Sequence, residues 1–460
     1  MRRLVLGLDD RLGIAPILQK ALRKAFPDNW SFMFGEVALY CFLVLVATGV
    51  YLGFFFDAST APATYRGSDV ALHATPMSAA YASVVRLSLD TRAGLLLRQI
   101  HHWAALVFIA AIALHMSRVF FTGAFRRPRE LNWIVGMTLL VLAMAAGFTG
   151  YSLPDDLLSG TGLRIAYSVL LSVPVVGGYL AFLFFGGIFP TAEAIGRLLF
   201  AHVFILPALI AGAVAIHLAI VWRQKHTQFR GPGRTEQNVV GSPLWPNYAM
   251  KSIGLGLAVA ATLAGLGAFF QINPIWLYGP YRAYDVSAPA QPDWYIGWLE
   301  GALRLGPSWS IDVANHTIPA PFFAGILLPA AFFGLLYLWP FLERRATRDG
   351  EPHQLLDRPS DAPVRTGIGA AVLAFAVVLT LAGSDDVQAG ILSIPVQSMV
   401  TGYRWLLVVL PIVAGLSAYR IACELRARRS ISQPDARVEI VRTEAGGFDE
   451  RPESIPGGRR

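Results

Sequence analysis

Apolar residues gather into long runs at about 34–56, 99–121, 133–153, 198–222, 251–271, 320–341, 367–384 and 403–423, separated by polar connectors rich in proline and charge. Each run is near the 20 or so residues a helix needs to cross the apolar core of a bilayer. A membrane barrel would instead show segments of about ten residues that alternate apolar and polar. The pattern predicts an all-α polytopic membrane protein with eight transmembrane helices. A ninth apolar stretch, 166–188, contains Pro174, Gly177, Gly178, Gly186 and Gly187, which lower its helical quality. Residues 14–26 suit an amphipathic helix lying on the membrane surface.

Loop charge decides how the ninth stretch is placed. With eight spans and a cytoplasmic N-terminus, the inside segments carry Arg2, Arg3, Arg11, Lys20, Arg23 and Lys24, then Arg126, Arg127 and Arg129. Arg223, Lys225, Arg230 and Arg234 follow, and then Arg344, Arg345, Arg348, Arg358 and Arg365. The last outside loop, 385–402, has Asp385 and Asp386 but no lysine or arginine. A ninth span would move the basic 223–251 loop outside, against the positive-inside bias. Residues 166–188 are therefore expected to be re-entrant or to lie along the outer surface, with both termini cytoplasmic. The polar tail from 425 to 460 is expected to be a disordered cytoplasmic extension.

Composition agrees with this picture. The chain of 460 residues is 55% hydrophobic and 15% charged, whereas soluble proteins carry about 25% charged residues. The net charge of +8 is accounted for by basic cytoplasmic loops and not by nucleic-acid binding. Met1 to Lys24 is charged and punctuated, unlike the short apolar core of a cleavable signal peptide.

Four histidines fall inside two of the apolar runs: His101 and His115 in one, His202 and His217 in the other. Imidazoles inside lipid-spanning helices are costly and need partners. At about 100° and 1.5 Å per residue, a gap of 14 brings a side chain back to within about 40° of the same face, about 21 Å further along. The second gap, of 15, is out of phase by about 60°, which a kink near Pro207 would absorb. Two such helices, parallel under the eight-span topology, would hold two stacked haems, each clamped axially by one histidine from each helix. His101 then lies level with His202 near the outer face, and His115 with His217 near the inner one.

The two cysteines, Cys41 and Cys423, form no CxxCH motif and no iron–sulfur set, so the haems would be b-type and non-covalent. His102 lies about 100° round the helix from His101 and is read as structural. His73, His226, His316 and His353 fall in loops and are read as ordinary polar residues.

Glycines repeat with the histidine period. Gly35 and Gly49 lie in the first run, Gly136 and Gly150 in the third, each pair 14 apart. Glycine lets a flat macrocycle approach a helix backbone, so these positions are expected to face haem. Arg98, Arg118 and Arg197 sit near the histidines at the membrane boundary and are candidate partners for haem propionates.

These residues match a family. Arg98-Gln-Ile-His101 through His115-Met-Ser-Arg118, the glycine pairs and Pro292-Asp293-Trp294-Tyr295 resemble cytochrome b of the quinol–cytochrome c reductase (cytochrome bc) complexes. The resemblance spans about residues 14–424 and is strongest for the actinobacterial branch, through stretches such as GYSLPDDLLSG, QKHTQFRGPGRTE and HTIPAP.

The resemblance implies an N-terminal dihaem four-helix half over 1–230, a second helical half of four spans over 231–424, and the tail over 425–460. It implies His101 and His202 on a low-potential haem near the outer face, and His115 and His217 on a high-potential haem near the inner face. Quinol, in this branch menaquinol, would be oxidised at an outer pocket. One electron would pass to a Rieske iron–sulfur subunit and the other through both haems to an inner quinone pocket, coupled to proton translocation. A separate cytochrome c subunit, a homodimeric complex and a cytochrome c oxidase in a supercomplex complete the implied partners, in a bacterial plasma membrane.

By the same resemblance, Asp293 takes the place of a quinol-proton-accepting glutamate, Tyr295 would hydrogen-bond the quinone, and Glu300 belongs near the same pocket. At the inner site Lys251 corresponds to a family lysine, but its usual aspartate neighbour is Ser252, and Trp222 stands where mitochondrial relatives have a histidine. Asp155 and Asp156 replace Trp-Gly at the outer pocket edge. The alternative reading is a dihaem b-type anchor of another quinone-linked oxidoreductase, and a second is a proton-coupled transporter. An anchor of that kind lacks the second four-helix half and the PDWY loop, and a transporter would show inverted repeats.

Overall fold

The computed structural model describes residues 11, 13, 15–285, 291–313, 316–432, 438–442 and 448–452. Eight of its helices are long and apolar enough to cross a membrane. They are α1 (Trp30–Gly53), α2 (Gly94–Phe121), α3 (Glu130–Tyr151), α4 (Ala194–Gln224), α5 (Leu244–Phe269), α6 (Ala320–Thr347), α7 (Pro363–Ala382) and α8 (Val396–Arg429). All eight apolar runs of the sequence are represented. The 166–188 stretch is not among these long helices; it divides between two short ones, Leu157–Leu171 and Gly177–Phe185. The break falls at Ser172–Val176, around Pro174, as expected where the ring removes a backbone donor.

The main core lies among α1, α2, α3 and α5, where Cys41, Phe42, Ala104, Phe108, Met137, Ala143, Val259 and Leu263 are buried together. Many outward residues of the spans remain exposed, among them Leu43, Leu114, Leu209, Ile216 and Leu257. An outward apolar surface of this kind is what a lipid-facing bundle needs.

The basic segments collect at one end of the bundle. Ala25–Phe26 pairs with Ser242–Pro243, and Gln228–Phe229 pairs in parallel with Leu355–Leu356. Arg129 donates to the carbonyls of His353 (2.6 Å) and Gln224 (3.1 Å), and Arg127 to that of Gly350 (2.7 Å). Arg365 is buried against Glu343 and Asp357. At the opposite end, Asp156 caps Leu157–Leu171 and bridges to Pro280, bringing the 155–160 turn against the 278–281 loop.

Part of the tail expected to be disordered lies outside the described residues; only 425–432, 438–442 and 448–452 of it are described. The last helix continues to Ser432, and Val438–Arg442 pairs antiparallel with Phe448–Pro452. A basic stretch closes the helix, and Arg429 reaches Asp361 at 2.9 Å, which extends it beyond the apolar run.

Candidate functional site

Two histidine pairs define the centre of the first four helices. The rings of His101 and His202 have their centres 6.3 Å apart, and those of His115 and His217 6.4 Å apart. First pairs with first and second with second, so α2 and α4 run parallel. The unequal gaps are reconciled by a π turn, Ala201–Ile205, that contains His202 and precedes Pro207. A π turn takes one residue more than an α turn and so returns the 15-residue gap to one face.

The four glycines face these rings. A Cβ on Gly35 would lie 3.2 Å from His115 Cε1, and one on Gly49 3.2 Å from His101 Cε1. On α3, Gly136 faces His217 at 3.7 Å and Gly150 faces His202 at 2.4 Å.

The hydrogen bonds fix the imidazole tautomers at the end away from the basic loops. Thr48 gives its hydroxyl hydrogen to the Val44 carbonyl (2.7 Å), so its Oγ1 accepts from His101 Nδ1–H at 2.9 Å. His202 Nδ1–H donates to the Ala146 carbonyl at 2.9 Å. Each Nε2 is left as a lone-pair donor, the form a metal-bound imidazole takes when its other nitrogen is held by a neighbour.

These residues fit a b-type haem. Metal–imidazole bonds of about 2 Å, with about 1 Å more to each ring centre, put two axial rings about 6 Å apart. Both pairs show that spacing. Among the described residues no three or more His, Cys, Asp or Glu side chains gather to hold a bare metal ion. A two-imidazole clamp suits a metal whose remaining positions are filled by a macrocycle.

The arginines divide. Arg98 Nε and Arg118 Nε and Nη2 are buried without hydrogen-bond partners, as expected of cations awaiting an anionic group. Arg118 also lies 4.1 Å over the Phe32 ring, and Arg98 Nη2 donates to the Asn273 carbonyl at 3.2 Å. Arg197 is different: its guanidinium donates to the carbonyls of Phe182 (3.1 Å) and Leu183 (2.7 Å), closing the end of Gly177–Phe185.

The PDWY residues open the helix Trp294–Leu305 beside α2 and α3. The buried Tyr295 hydroxyl donates to Asp293 Oδ2 at 3.1 Å, and Gly147 gives its ring room, since a Cβ there would lie 2.5 Å from the hydroxyl. The second partner of Asp293 is His102, whose Nε2–H lies 2.8 and 2.9 Å from the two carboxylate oxygens. His102, read from the sequence as structural, is therefore bonded directly to the PDWY carboxylate. Tyr151 has a buried hydroxyl with no partner and electrostatic contact with Asp293.

Glu300 does not reach Asp293. It pairs with Arg304 at 2.6 Å, and Arg304 also engages Asp385 and Asp386. Gln291 connects that cluster to the PDWY loop through Asp386 at 2.7 Å.

At the basic end, Lys251 has found a different aspartate. Asp28, ahead of α1, takes its ammonium at 2.6 and 2.8 Å, and that hydrogen bond holds the Asp28 carboxyl below its usual range. Trp222 lies beneath the Lys24 ammonium, 4.1 Å from the ring centre, and packs on Phe26. Phe26 also packs on His226 at 4.6 Å, so this loop histidine is half-buried against an aromatic ring. Burial, reinforced by Lys24, Arg129 and Arg118, pushes His226 down to about 4.

Comparison with known proteins agrees with this geometry. Residues 106–280 match the family described as Cytochrome b(N-terminal)/b6/petB. The cytochrome bc1 complex cytochrome b subunit of Mycobacterium leprae is 47% identical over 95% of this chain and 79% of its own length. That of Streptomyces coelicolor is 47% identical over 91% of this chain and 77% of its own. The chain titled "Hyperthermophilic respiratory Complex III" shares the fold, with a TM-score of 0.65 at 22% identity, covering 90% of this chain and 99% of that one. The chain belongs to the cytochrome b subunits of cytochrome bc1 complexes, the haem-b-binding, multi-pass membrane subunits of quinol–cytochrome c reductase.

Proposed function

We propose that this subunit binds two b haems, one between His101 and His202 and one between His115 and His217, and links a quinol-oxidising pocket at one membrane face to a quinone-reducing pocket at the other. The observation that carries the reading is the equal spacing of the two imidazole pairs, 6.3 and 6.4 Å, at levels 14 residues apart on α2. The haems, when bound, supply one-electron transfer between those levels. Arg98 and Arg118 would neutralise their propionates, and the four glycines keep the helix surfaces low enough to admit them.

The end of the bundle that gathers the basic loops is the cytoplasmic one, by the positive-inside bias, so both termini are cytoplasmic and His101–His202 is the outer pair. In the outer pocket Asp293 accepts a proton from quinol. His102 and Tyr295 hold its carboxylate in place, and the Tyr295 oxygen is left to accept a hydrogen bond from a quinol hydroxyl. Glu300, clamped by Arg304, borders the pocket. One electron leaves for a Rieske iron–sulfur subunit and the other moves inward. Oxidising quinol outside and reducing quinone inside releases protons on one side and takes them up on the other, which is the coupling. Menaquinol as substrate, a separate cytochrome c subunit, a dimeric complex and a cytochrome c oxidase partner in a supercomplex follow from the actinobacterial kinship. The three-part division into 1–230, 231–424 and 425–460 belongs to the same reading.

The test is a reduced-minus-oxidised spectrum of the purified complex, with two b-type components as the expected result. His101→Ala and His202→Ala should each remove only the lower-potential component. Loss of the other component in either variant would overturn the pairing, and a single b component in the parent protein would overturn the dihaem reading.

A further inference from the structure

The inner pocket lacks the histidine and the adjacent lysine–aspartate pair of mitochondrial relatives, and a different proton-bearing group stands there. Glu36 lies at the start of α1, next to the Gly35 that faces His115. Its Oε1 accepts from the Tyr248 hydroxyl and its Oε2 from Ser252 Oγ. Tyr40 lies 2.8 Å from Ser252 Oγ; since Ser252 gives its hydrogen to Glu36, Tyr40 donates to Ser252. Among the described residues no lysine, arginine or histidine pairs with Glu36. A carboxylate at the membrane end of a helix, held only by neutral hydroxyls, is costly to retain and marks a functional position by default.

The sequence places these groups in register. Glu36 and Tyr40 are four apart on α1, and Tyr248 and Ser252 are four apart on α5, so each pair shares one helical face. Gly256, one turn further along α5, lets the Tyr40 ring lie against that helix, because a Cβ there would fall 2.7 Å from the ring. The cluster has a pocket side and a water side. The Tyr248 ring packs 4.6 Å from Phe26, which itself packs on His226 and Trp222. Next to Ser252, the Lys251–Asp28 pair is about half exposed, with side-chain exposures of 56% and 49%.

We propose that Glu36 is the proton donor of the inner quinone pocket, passing protons through the Tyr248 and Ser252 hydroxyls and reloading from water past Lys251–Asp28. The inference rests on the quinone-reducing role assigned above to this end of the bundle. Reduction of one quinone takes two electrons, supplied by the electron transfer of the complex, and two protons, one forming an O–H bond at each carbonyl oxygen. In each transfer a hydroxyl gives its hydrogen to the quinone oxygen and takes one from the Glu36 carboxyl, whose O–H bond breaks. The carboxylate left behind accepts from both hydroxyls, which is the arrangement observed, until a proton from the aqueous side reloads it. The titratable and charged groups facing Glu36 are Tyr40, Tyr248, Lys251 and Asp28, with His226 and Lys24 beyond Phe26 and Arg118 over Phe32.

The experiment is reoxidation of the pre-reduced b haems by added quinone in the intact complex. Glu36→Gln should slow it by about 10²-fold, the low end of what a positioned proton donor contributes, and flatten its pH profile. Both b-haem spectra and the first-turnover reduction of the outer haem by quinol should be unchanged, and Glu36→Asp should recover part of the rate. Reoxidation at the parent rate with the parent pH profile in Glu36→Gln would overturn the proposal. If that variant fails to assemble with haem, Tyr248→Phe combined with Ser252→Ala should show the same slowing, and a parent rate there would overturn it equally. If the parent complex itself shows no reoxidation of a second b haem by quinone, it is the inner-pocket reading that falls.

Discussion

His102 donates one N–H to both oxygens of the Asp293 carboxylate, at 2.8 and 2.9 Å, across 191 positions of sequence. The bond ties Asp293, the proposed proton acceptor, to α2, the helix that also carries the first histidine of each pair. Hydrogen bonds to charged groups contribute about 1.5–3 kcal/mol. His102→Leu should therefore slow quinol oxidation by about tenfold to a hundredfold. His102→Gln, which keeps an N–H donor, should recover part of the rate, and both variants should keep the two b components of the spectrum. Equal turnover in His102→Leu and the parent would remove His102 from the pocket.

Asp293→Asn separates orientation from proton acceptance. The amide retains the shape and still accepts from Tyr295, but it is a far weaker base. Positioned general bases contribute about 10²-fold or more, so quinol oxidation should fall by at least that factor while haem content stays unchanged. Unimpaired oxidation in this variant would assign the proton to another group.

Much of this architecture is written in the chain. The eight spans follow from run length, because a bilayer leaves a helix few alternatives to an apolar surface along its whole length. The histidine and glycine pairs were visible because helical period alone aligns them, on α1 and α3 as well as on α2 and α4. What stayed hidden depends on contacts between distant segments or on local departures from the α period. His102 has no partner on its own helix, so its meaning emerges only when Asp293 folds back against it. Asp28 replaces the missing aspartate neighbour of Lys251 from the far end of the first half. The π turn at Ala201–Ile205 corrects a phase error that the sequence shows only as an odd gap and a nearby proline. Arg197, five residues from its histidine where Arg98 and Arg118 are three from theirs, is instead occupied by helix-end carbonyls.

The glycines offer a graded test. A Cβ on Gly150 would fall 2.4 Å from His202 Cε1, whereas one on Gly136 would sit 3.7 Å from His217 Cε1, an ordinary contact. Overpacking of this kind costs about 1–3 kcal/mol and displaces the side chain it meets. Gly150→Ala should therefore lower the occupancy of the outer haem more than Gly136→Ala lowers that of the inner one, as read from haem-to-protein ratios of the purified complexes. The reverse order would contradict the ring positions.

Arg304 holds three carboxylates, of which Asp385 is 1% exposed. Removing one member of a buried ion pair leaves an uncompensated charge and costs about 3–5 kcal/mol, less here because Arg304 is partly open to water. Arg304→Met should lower the melting temperature of the solubilised complex clearly, and adding Asp385→Leu should restore part of the loss. A double variant no more stable than the single one would mean that the charge on Asp385 is compensated elsewhere.

Asp155 sets a pH dependence at the outer edge. Burial raises its carboxyl from 3.8 to about 6, with the Ser78 hydroxyl pulling the other way and neighbouring Asp156 adding to the rise. A folded-state value above the unfolded one favours the protonated form, so the folded protein bears no penalty below about pH 4. The penalty grows between about pH 4, where the unfolded carboxyl ionises while the folded one stays protonated, and about pH 6, and is complete above that, reaching at most about 2–3 kcal/mol for a shift of this size. Asn at this position removes the titrating group and still tolerates the left-handed backbone, φ 54°, that the turn requires. Asp155→Asn should therefore raise the melting temperature of the complex clearly at pH 7.5 and much less at pH 4.5, where only about a third of the penalty has developed. A gain of equal size at both pH values would show that the effect comes from packing in the turn and not from the buried charge.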